Sequence, residues 1–172
     1  MKRIIVALAA FAIFAVASHA QSAPQADVAV GYSYFRMGGS GGINLNGVSG
    51  SAAYNVNNWV GVVGDLGVYH GSPAGVGFTN VTYTFGPRFT YREAGRVVPF
   101  AQALFGGAHL SALSSSSNPF AYGFGGGADI AMNSSGSITL RPQVDYFGLR
   151  SNGNTANCTR ISVGVIYHFG QK

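Results

Sequence analysis

The chain has 172 residues, of which 47% are hydrophobic and only 9% charged, and its formal net charge is +5 at pH 7. A soluble domain usually carries about 25% charged residues, so most of this surface is not expected to face water. The Arg residues are scattered along the chain, which argues against the clustered basic footprint of a nucleic-acid-binding protein.

The N-terminus has the pattern of a cleaved signal peptide over residues 1–20. Lys2 and Arg3 form a short basic segment, about 14 uncharged apolar residues follow, and Ser18 and Ala20 place small residues at a cleavage site. A transmembrane helix is the alternative, but it needs roughly 20 apolar residues. We therefore expect export of the chain, with residues 21–172 forming one domain.

Eight segments beyond residue 20 alternate apolar and polar residues with a period of two, which predicts β-strands with one apolar and one polar face. They are residues 27–36, 43–56, 59–70, 78–92, 97–112, 120–132, 138–150 and 160–169. In the last segment, one face carries the apolar residues Ile161, Val163, Val165, Tyr167 and Phe169. Its other face carries Arg160, Ser162, Gly164 and His168.

The connections between these segments alternate in kind. Those near residues 38–42, 71–75, 111–118 and 151–158 are rich in Gly, Ser or Asn and are expected to be longer loops, whereas the other three are expected to be tight turns. An even number of antiparallel strands with this alternation is typical of a transmembrane barrel. The sequence therefore predicts an all-β fold, an eight-stranded antiparallel up-and-down transmembrane β-barrel.

Alternation alone does not tell which face points into the barrel, because a soluble lipocalin-like barrel lines its cavity with apolar residues. The aromatic residues favour the membrane, since they form two groups near the two ends of the strands, as at two membrane interfaces. One group is Tyr54, Trp59, Phe89, Tyr91, Tyr167 and Phe169, and the other is Tyr32, Tyr34, Tyr69, Phe120, Tyr122 and Tyr146. We expect the apolar faces to contact lipid and the polar faces to line the lumen.

Three segments carry a resemblance to a known family: residues 81–91 (VTYTFGPRFTY), 99–108 (PFAQALFGGA) and 164–169 (GVIYHF). They resemble the outer membrane protein β-barrel domain family of OmpA- and OmpX-like eight-stranded barrels. The resemblance implies a monomer among the lipids of the cell outer membrane, without a cofactor or catalysis, in a structural or surface-interaction role. It also implies that the barrel-assembly machinery recognises the last strand, which ends at Phe169.

Polar faces of the strands bring charged residues into the predicted lumen. They are Asp65, Arg88, Asp129, Arg141, Asp145 and Arg160. Buried charges must be paired or hydrogen-bonded, so an Arg–carboxylate network across the barrel is expected. A packed plug is favoured because eight strands leave a lumen that side chains just fill, and a narrow ion or solute channel is the alternative.

Three further features of the sequence bear on chemistry. The His109-Leu110-Ser111 sequence has the His-x-Ser spacing of lipid A deacylases, but the only Glu, Glu93, lies in a turn at the opposite end, so a lipid-modifying enzyme is disfavoured. His70 and His109 lack a third metal ligand. Cys158, which the pattern places in the last outer loop, is the only Cys and predicts no internal disulfide, although a disulfide to another chain stays open.

Overall fold

The structure is a computed structural model that describes residues 24–38, 42–112, 115–133, 135–151 and 153–170, so the predicted signal peptide lies outside it. It contains the strands β1 Ala26–Met37, β2 Ile43–Asn55, β3 Val60–Gly71, β4 Phe78–Thr90, β5 Val97–Ala112, β6 Ser115–Ser117, β7 Phe120–Ala131, β8 Ile138–Ser151 and β9 Asn154–Phe169. Two short 3₁₀ turns, Pro73–Gly75 and Arg92–Ala94, complete it. Among the residues described, no helix is long and apolar enough to cross a membrane.

The strands form one closed antiparallel sheet. Each long strand pairs with the next in the chain, and β1 pairs with β9 from Ala26 opposite Phe169 to Met37 opposite Cys158, which closes the barrel. The short β6 lies in line with β7, because both pair with β5 in one register that Asn118 and Pro119 interrupt. Eight strands therefore make up the wall, as predicted from the sequence.

Three tight turns lie at the same end of the barrel as the start of β1 and the end of β9. In the turn between β2 and β3, Asn57 Oδ1 accepts hydrogen bonds from the backbone N–H groups of Trp59 and Val60, both at 2.8 Å. In the turn between β4 and β5, Gly95 has a φ of 80°, a conformation that residues with a side chain rarely adopt. In an outer-membrane barrel the short turns face the periplasm, so this end is the periplasmic end.

Two of the four connections at the other end are shorter than expected. Ser151 pairs directly with Asn154, and Ala112 pairs with Ser115, so only two residues join the strands at each place. Their Ser- and Asn-rich sequences were interpreted as loops because these residues favour turns. In the structure the backbones of 115–117 and 154–158 instead extend the hairpins, since each pairs with the end of the preceding strand, β5 or β8.

The apolar faces point away from the lumen. Phe85, Val144 and Val163 are 65%, 53% and 48% exposed on the outer surface, which fits side chains that contact lipid rather than a packed core. The placement of Tyr69 in the outer aromatic group is wrong, because its ring is fully buried inside the barrel. Tyr69 lies four residues after Asp65 on β3 and therefore shares its inward face.

Candidate functional site

The lumen contains a group of buried charged residues. All four Asp residues of the sequence are buried there together with three Arg residues. They are Asp27, Asp65, Asp129, Asp145, Arg88, Arg141 and Arg160. Six of these seven were proposed from the sequence, and Asp27 was missed although it stands on the polar face of the first strand.

The periplasmic half of the lumen holds two linked ion pairs. Arg141 binds Asp129 through two hydrogen bonds, Nε to Oδ1 at 2.6 Å and Nη2 to Oδ2 at 2.7 Å, and Arg141 Nη2 lies 3.7 Å from Asp27 Oδ1. Arg88 Nη1 donates to the same Asp27 oxygen at 3.1 Å. Both guanidinium groups lie over the Phe100 ring, with Arg88 5.0 Å and Arg141 4.6 Å from its centroid. The ring offers each cation a cation–π contact.

A second cluster lies around Arg160, which is fully buried. Its Nη1 and Nη2 donate to the two oxygens of Asp65 at 2.6 and 3.1 Å, and its Nε donates to Asp145 Oδ2 at 2.9 Å. Nη1 also donates to the Tyr69 hydroxyl at 3.2 Å, and Nη2 lies 2.8 Å from Asp145 Oδ2. All the N–H donors of this guanidinium therefore meet acceptors, the condition under which a buried cation is tolerated.

Two glutamines join the clusters. Gln102 accepts from Arg88 Nε at 3.2 Å and donates to Asp145 Oδ1 at 3.1 Å, so it connects the periplasmic pairs to the Arg160 cluster. Gln143 donates to the other oxygen of Asp145 at 2.7 Å. A Cβ at Gly125 would overlap Asp145 Oδ1, so Gly125 leaves the space that this carboxylate occupies. The polar groups thus form one connected network.

The extracellular half of the lumen is mainly apolar, which the sequence reasoning did not anticipate, although the buried polar residues Asn80 and Thr82 lie there opposite Tyr69 and Ala108. It contains a plug of packed residues: Phe35, Met37, Leu45, Tyr69, Leu104, Ala108, Ala121, Phe147, Leu149 and Cys158. Phe35 packs against Tyr69 and Phe147 with ring centroids 4.7 and 6.0 Å apart. Arg160 lies over the Phe147 ring at 5.0 Å, so it forms the boundary between the polar network and the plug.

The sequence predicts that Cys158 lies in an outer loop, and this prediction is wrong. Cys158 belongs to the plug. It lies within β9, its side chain is 1% exposed, and its thiol donates to the Ala156 carbonyl at 3.6 Å. The cause is that the segment before residue 160 has the composition of a loop. A residue in a loop is not expected to face the lumen, so the sequence does not predict that Cys158 points inward. In this position Cys158 acts as a small apolar residue and cannot reach a thiol of another chain.

The lumen opens to the periplasmic side as a cavity of about 220 Å³ whose lining includes Arg92, Arg96, Asp129 and His168. His168 Nε2 lies 3.1 Å from the Thr139 hydroxyl. Partial burial lowers the pKa of Arg92, which lies in the turn below the strands and also donates to a backbone carbonyl of the neighbouring turn. The opening ends at the Asp129–Arg141 pair.

Tyrosine–asparagine pairs lie on the outside of the barrel at its extracellular end. Tyr32 donates to Asn46 Oδ1 at 2.5 Å, and Tyr34 donates to Asn44 Oδ1 at 2.8 Å. The same arrangement recurs on β8 and β9, where Tyr146 donates to Asn157 Oδ1 at 2.7 Å. Each tyrosine reaches an asparagine nearer the rim on the adjacent strand, so on the side formed by β2, β1, β9 and β8 a row of carboxamides lies above the aromatic girdle.

His109 and Ser111 share the outward face of β5 at this rim. His109 Nδ1 lies 2.6 Å from Asn118 Oδ1, so an amide and not a carboxylate orients its ring. Glu93 is in the turn Arg92–Ala94 at the periplasmic end, and Asp129 is bound to an arginine in the lumen. Among the described residues, no three His, Cys, Asp or Glu side chains are grouped to hold a metal ion.

The closed eight-stranded wall, its apolar outer surface and its aromatic girdles agree with a comparison of the sequence with known families. The outer membrane protein beta-barrel domain matches residues 5–169. The chain belongs to this family. It is therefore a transmembrane β-barrel of the outer membrane. No curated protein sequence matches it significantly.

Solved structures show the same architecture. Neisserial surface protein A aligns with a TM-score of 0.72 at 17% identity, over 84% of this chain and 97% of that chain. Ail, the attachment invasion locus protein of Yersinia pestis, in complex with the heparin analogue sucrose octasulfate, aligns with a TM-score of 0.58 at 20% identity, over 84% and 97%. OprG from Pseudomonas aeruginosa aligns with a TM-score of 0.58 at 9% identity, over 87% and 98%. At these identities the likeness shows the fold alone.

Proposed function

We propose that this outer membrane barrel is a closed, non-catalytic membrane anchor whose role lies at its extracellular surface. The observation that carries the proposal is the filled lumen: a connected charge network occupies its periplasmic half and an apolar plug its extracellular half. An ion entering from the periplasm would meet the Asp129–Arg141 pair first and the rings of Phe35 and Phe147 last. Stripping an ion of water to pass an apolar layer is costly.

The proposal that the barrel has no catalytic activity rests on the arrangement of His109 and Ser111 at the extracellular rim. A nucleophilic Ser needs a base within hydrogen-bond reach. His109 Nδ1 is hydrogen-bonded to Asn118, and among the described residues no hydrogen bond joins His109 to Ser111, so Ser111 has no base in contact with it. We expect the folded protein to release no fatty acid from lipid A, and Ser111→Ala to behave as the parent does. Release that Ser111→Ala abolishes would overturn this part of the proposal.

A narrow channel is the alternative, and one observation favours it. Asn80 is fully buried on the inward face of β4, yet neither side-chain polar atom has a hydrogen-bond partner in the described residues. A small cavity beside Asp65 and Arg141 is also lined by Ser and Gly residues. Such polar surface suits ordered water, and a continuous file of water would conduct.

Conductance in planar lipid bilayers separates the two proposals. We expect no discrete current steps from the parent, whose insertion is checked independently by heat-modifiable gel mobility. The variant Phe35→Ala/Phe147→Ala removes two rings from the plug, whereas Phe85→Ala removes one ring from the lipid-facing surface and serves as the control. Current steps in the plug variant alone support closure by the plug. Steps of equal size in the parent, the plug variant and the control would refute the closed-anchor proposal.

The proposed role at the extracellular surface rests on two arguments, the closure of the lumen and the residues at the extracellular rim. With the lumen closed, the parts that remain accessible from outside the cell are the extracellular connections and the tyrosine–asparagine pairs on β1, β2, β8 and β9. Two of the aligned proteins are, by name, a surface protein and an attachment protein. These names describe those proteins, and they make binding assays at the extracellular end the natural next experiment.

A further inference from the structure

A group of hydrogen-bond donors on the outside of β1 and β2 lies at a definable depth in the membrane. Along the outward face of β1, Val28 and Val30 are exposed apolar residues, Tyr32 and Tyr34 follow, and Arg36 comes last, near the extracellular end. Aromatic girdles mark the boundary between hydrocarbon and headgroups. Arg36 therefore lies at the level of the headgroups of the outer leaflet.

The orientation of the Asn44 carboxamide at this level follows from chemistry. Arg36 Nη1 lies 3.2 Å from Asn44 Oδ1, and a guanidinium has only donors, so the facing atom must be the oxygen. Tyr34 donates to the same oxygen. The Asn44 amino group therefore turns away from both partners. Asn46, whose oxygen accepts from Tyr32, presents its amino group in the same way.

No negative charge of the chain opposes an anion here. The chain has five acidic residues: four are the Asp residues in the lumen, and the fifth is Glu93 at the periplasmic end. Arg36, Asn44 and Asn46 are all exposed, and His70 lies directly opposite Asn46 on β3. The patch thus combines a guanidinium with outward amide donors and contains no carboxylate, a combination that suits the oxygens of a phosphate.

We propose that Arg36, Asn44 and Asn46 form a binding site for a phosphate group in the headgroup of an outer-leaflet lipid. The site deepens the proposed surface role and rests on it, since it names a partner at the extracellular rim. A lipid is the occupant because the tyrosine rings directly below the donors lie where acyl chains begin, so a molecule that fills both levels carries its phosphate on a hydrocarbon tail. A soluble sulfated or phosphorylated sugar would contact only the upper level.

The test titrates folded protein in neutral detergent micelles with diphosphorylated lipid A and, separately, with the same glycolipid after its phosphates are removed. The NMR signals of the Arg36 Nε–H and the asparagine amino groups report binding. We expect the phosphorylated lipid to shift these signals and to bind more tightly. Arg36→Gln should weaken that binding about fivefold, as expected for one cation at an anionic lipid surface. Equal affinity for both glycolipids would overturn the proposal.

A variant that introduces a negative charge sharpens the test. Asn44→Asp keeps the oxygen that Tyr34 and Arg36 contact but replaces the outward amino group with a second carboxylate oxygen, so we expect a loss at least as large as that of Arg36→Gln. Arg96→Gln makes the same charge change at the periplasmic end and should leave the affinity unchanged. If Arg36→Gln and Arg96→Gln bind alike, the site is wrong.

Two further arms test the occupant. Heat-modifiable mobility verifies that each variant is folded, so a loss of binding cannot be mistaken for a loss of the barrel. Inorganic phosphate or a soluble heparin fragment should not displace the lipid, and full displacement by either would show an oxyanion site that does not depend on a lipid. Conductance is measured separately, so a conducting parent would overturn the closed anchor without changing these affinities.

Discussion

Arg160 offers the most decisive perturbation of the barrel interior. Its guanidinium binds both oxygens of Asp65, contacts Asp145 twice and donates to Tyr69. Arg160→Met keeps much of the volume and the packing over Phe147 but removes the cation. Asp65 has no other hydrogen-bond partner among the described side chains, whereas Asp145 keeps Gln102 and Gln143.

The expected loss of folding free energy depends on the charge that remains buried after the substitution. Removing one partner of a buried ion pair costs about 3–5 kcal/mol, because the remaining charge is uncompensated. Asp65→Leu should cost less, since Arg160 retains Asp145 and Tyr69 after that change. The double variant Arg160→Met/Asp65→Leu removes both the cation and the orphaned carboxylate. We therefore expect the double variant to be more stable than Arg160→Met alone, although it carries one more substitution.

The assay is urea unfolding of barrels reconstituted in lipid vesicles, followed by heat-modifiable mobility and tryptophan fluorescence. A matched control, Phe85→Leu, tests an outward position at which no ion pair is involved. An unfolding midpoint of Arg160→Met equal to that of the parent would show that water solvates Asp65, and the lumen would then have to be treated as wet. A double variant less stable than Arg160→Met would refute the reasoning about uncompensated charge.

Three other predictions concern the wall, the periplasmic pair and assembly. Val163→Arg places a charge on the lipid face and should cost about 2–4 kcal/mol of folding free energy in bilayers, with Val163→Leu as the control. Asp129→Ala leaves Arg141 with only its longer contact to Asp27 and should lower the free energy of unfolding by a few kcal/mol, and an unchanged urea midpoint would favour a hydrated lumen. Phe169→Ser should reduce the folded amount in the outer membrane, whereas deletion of residues 170–172 should not, and the reverse result would show that the tail is the assembly signal.

The wall of the barrel could be predicted because its rule is local. A period of two assigns each residue of a strand to one face, and the same rule applies to every strand. Where the rule was applied consistently it held: Val163 faces outward and Arg160 inward, as β9 shows. Tyr69 was misplaced because its aromatic character was given more weight than its position four residues after Asp65.

The ends of two strands were missed for a different reason. Ser and Asn favour turns when they are considered locally, and so the segments before Phe120 and Arg160 were interpreted as loops. Pairing with a neighbouring strand outweighs this preference, because each backbone N–H and C=O group gains a partner in the ladder. The partners are close in sequence, such as Ala112 opposite Ser115 and Phe147 opposite Cys158, but they lie outside the Ser- and Asn-rich segments, so residue preferences within those segments do not report the pairing.

The sequence reasoning missed the two layers of the lumen because it assumed that every inward-facing residue is polar. The inward positions of β1 change from Asp27 through Ser33 to Phe35 and Met37, so the sequence does contain the transition. Its meaning depends on what the other strands bring to the same height, such as Phe147 from β8. Once both are known, the function of Arg160 becomes clear: it binds carboxylates on one side and covers an aromatic ring on the other. In the proposed closed barrel, the polar network and the apolar plug occupy different halves of the lumen, and the plug is the layer that an ion would have to cross.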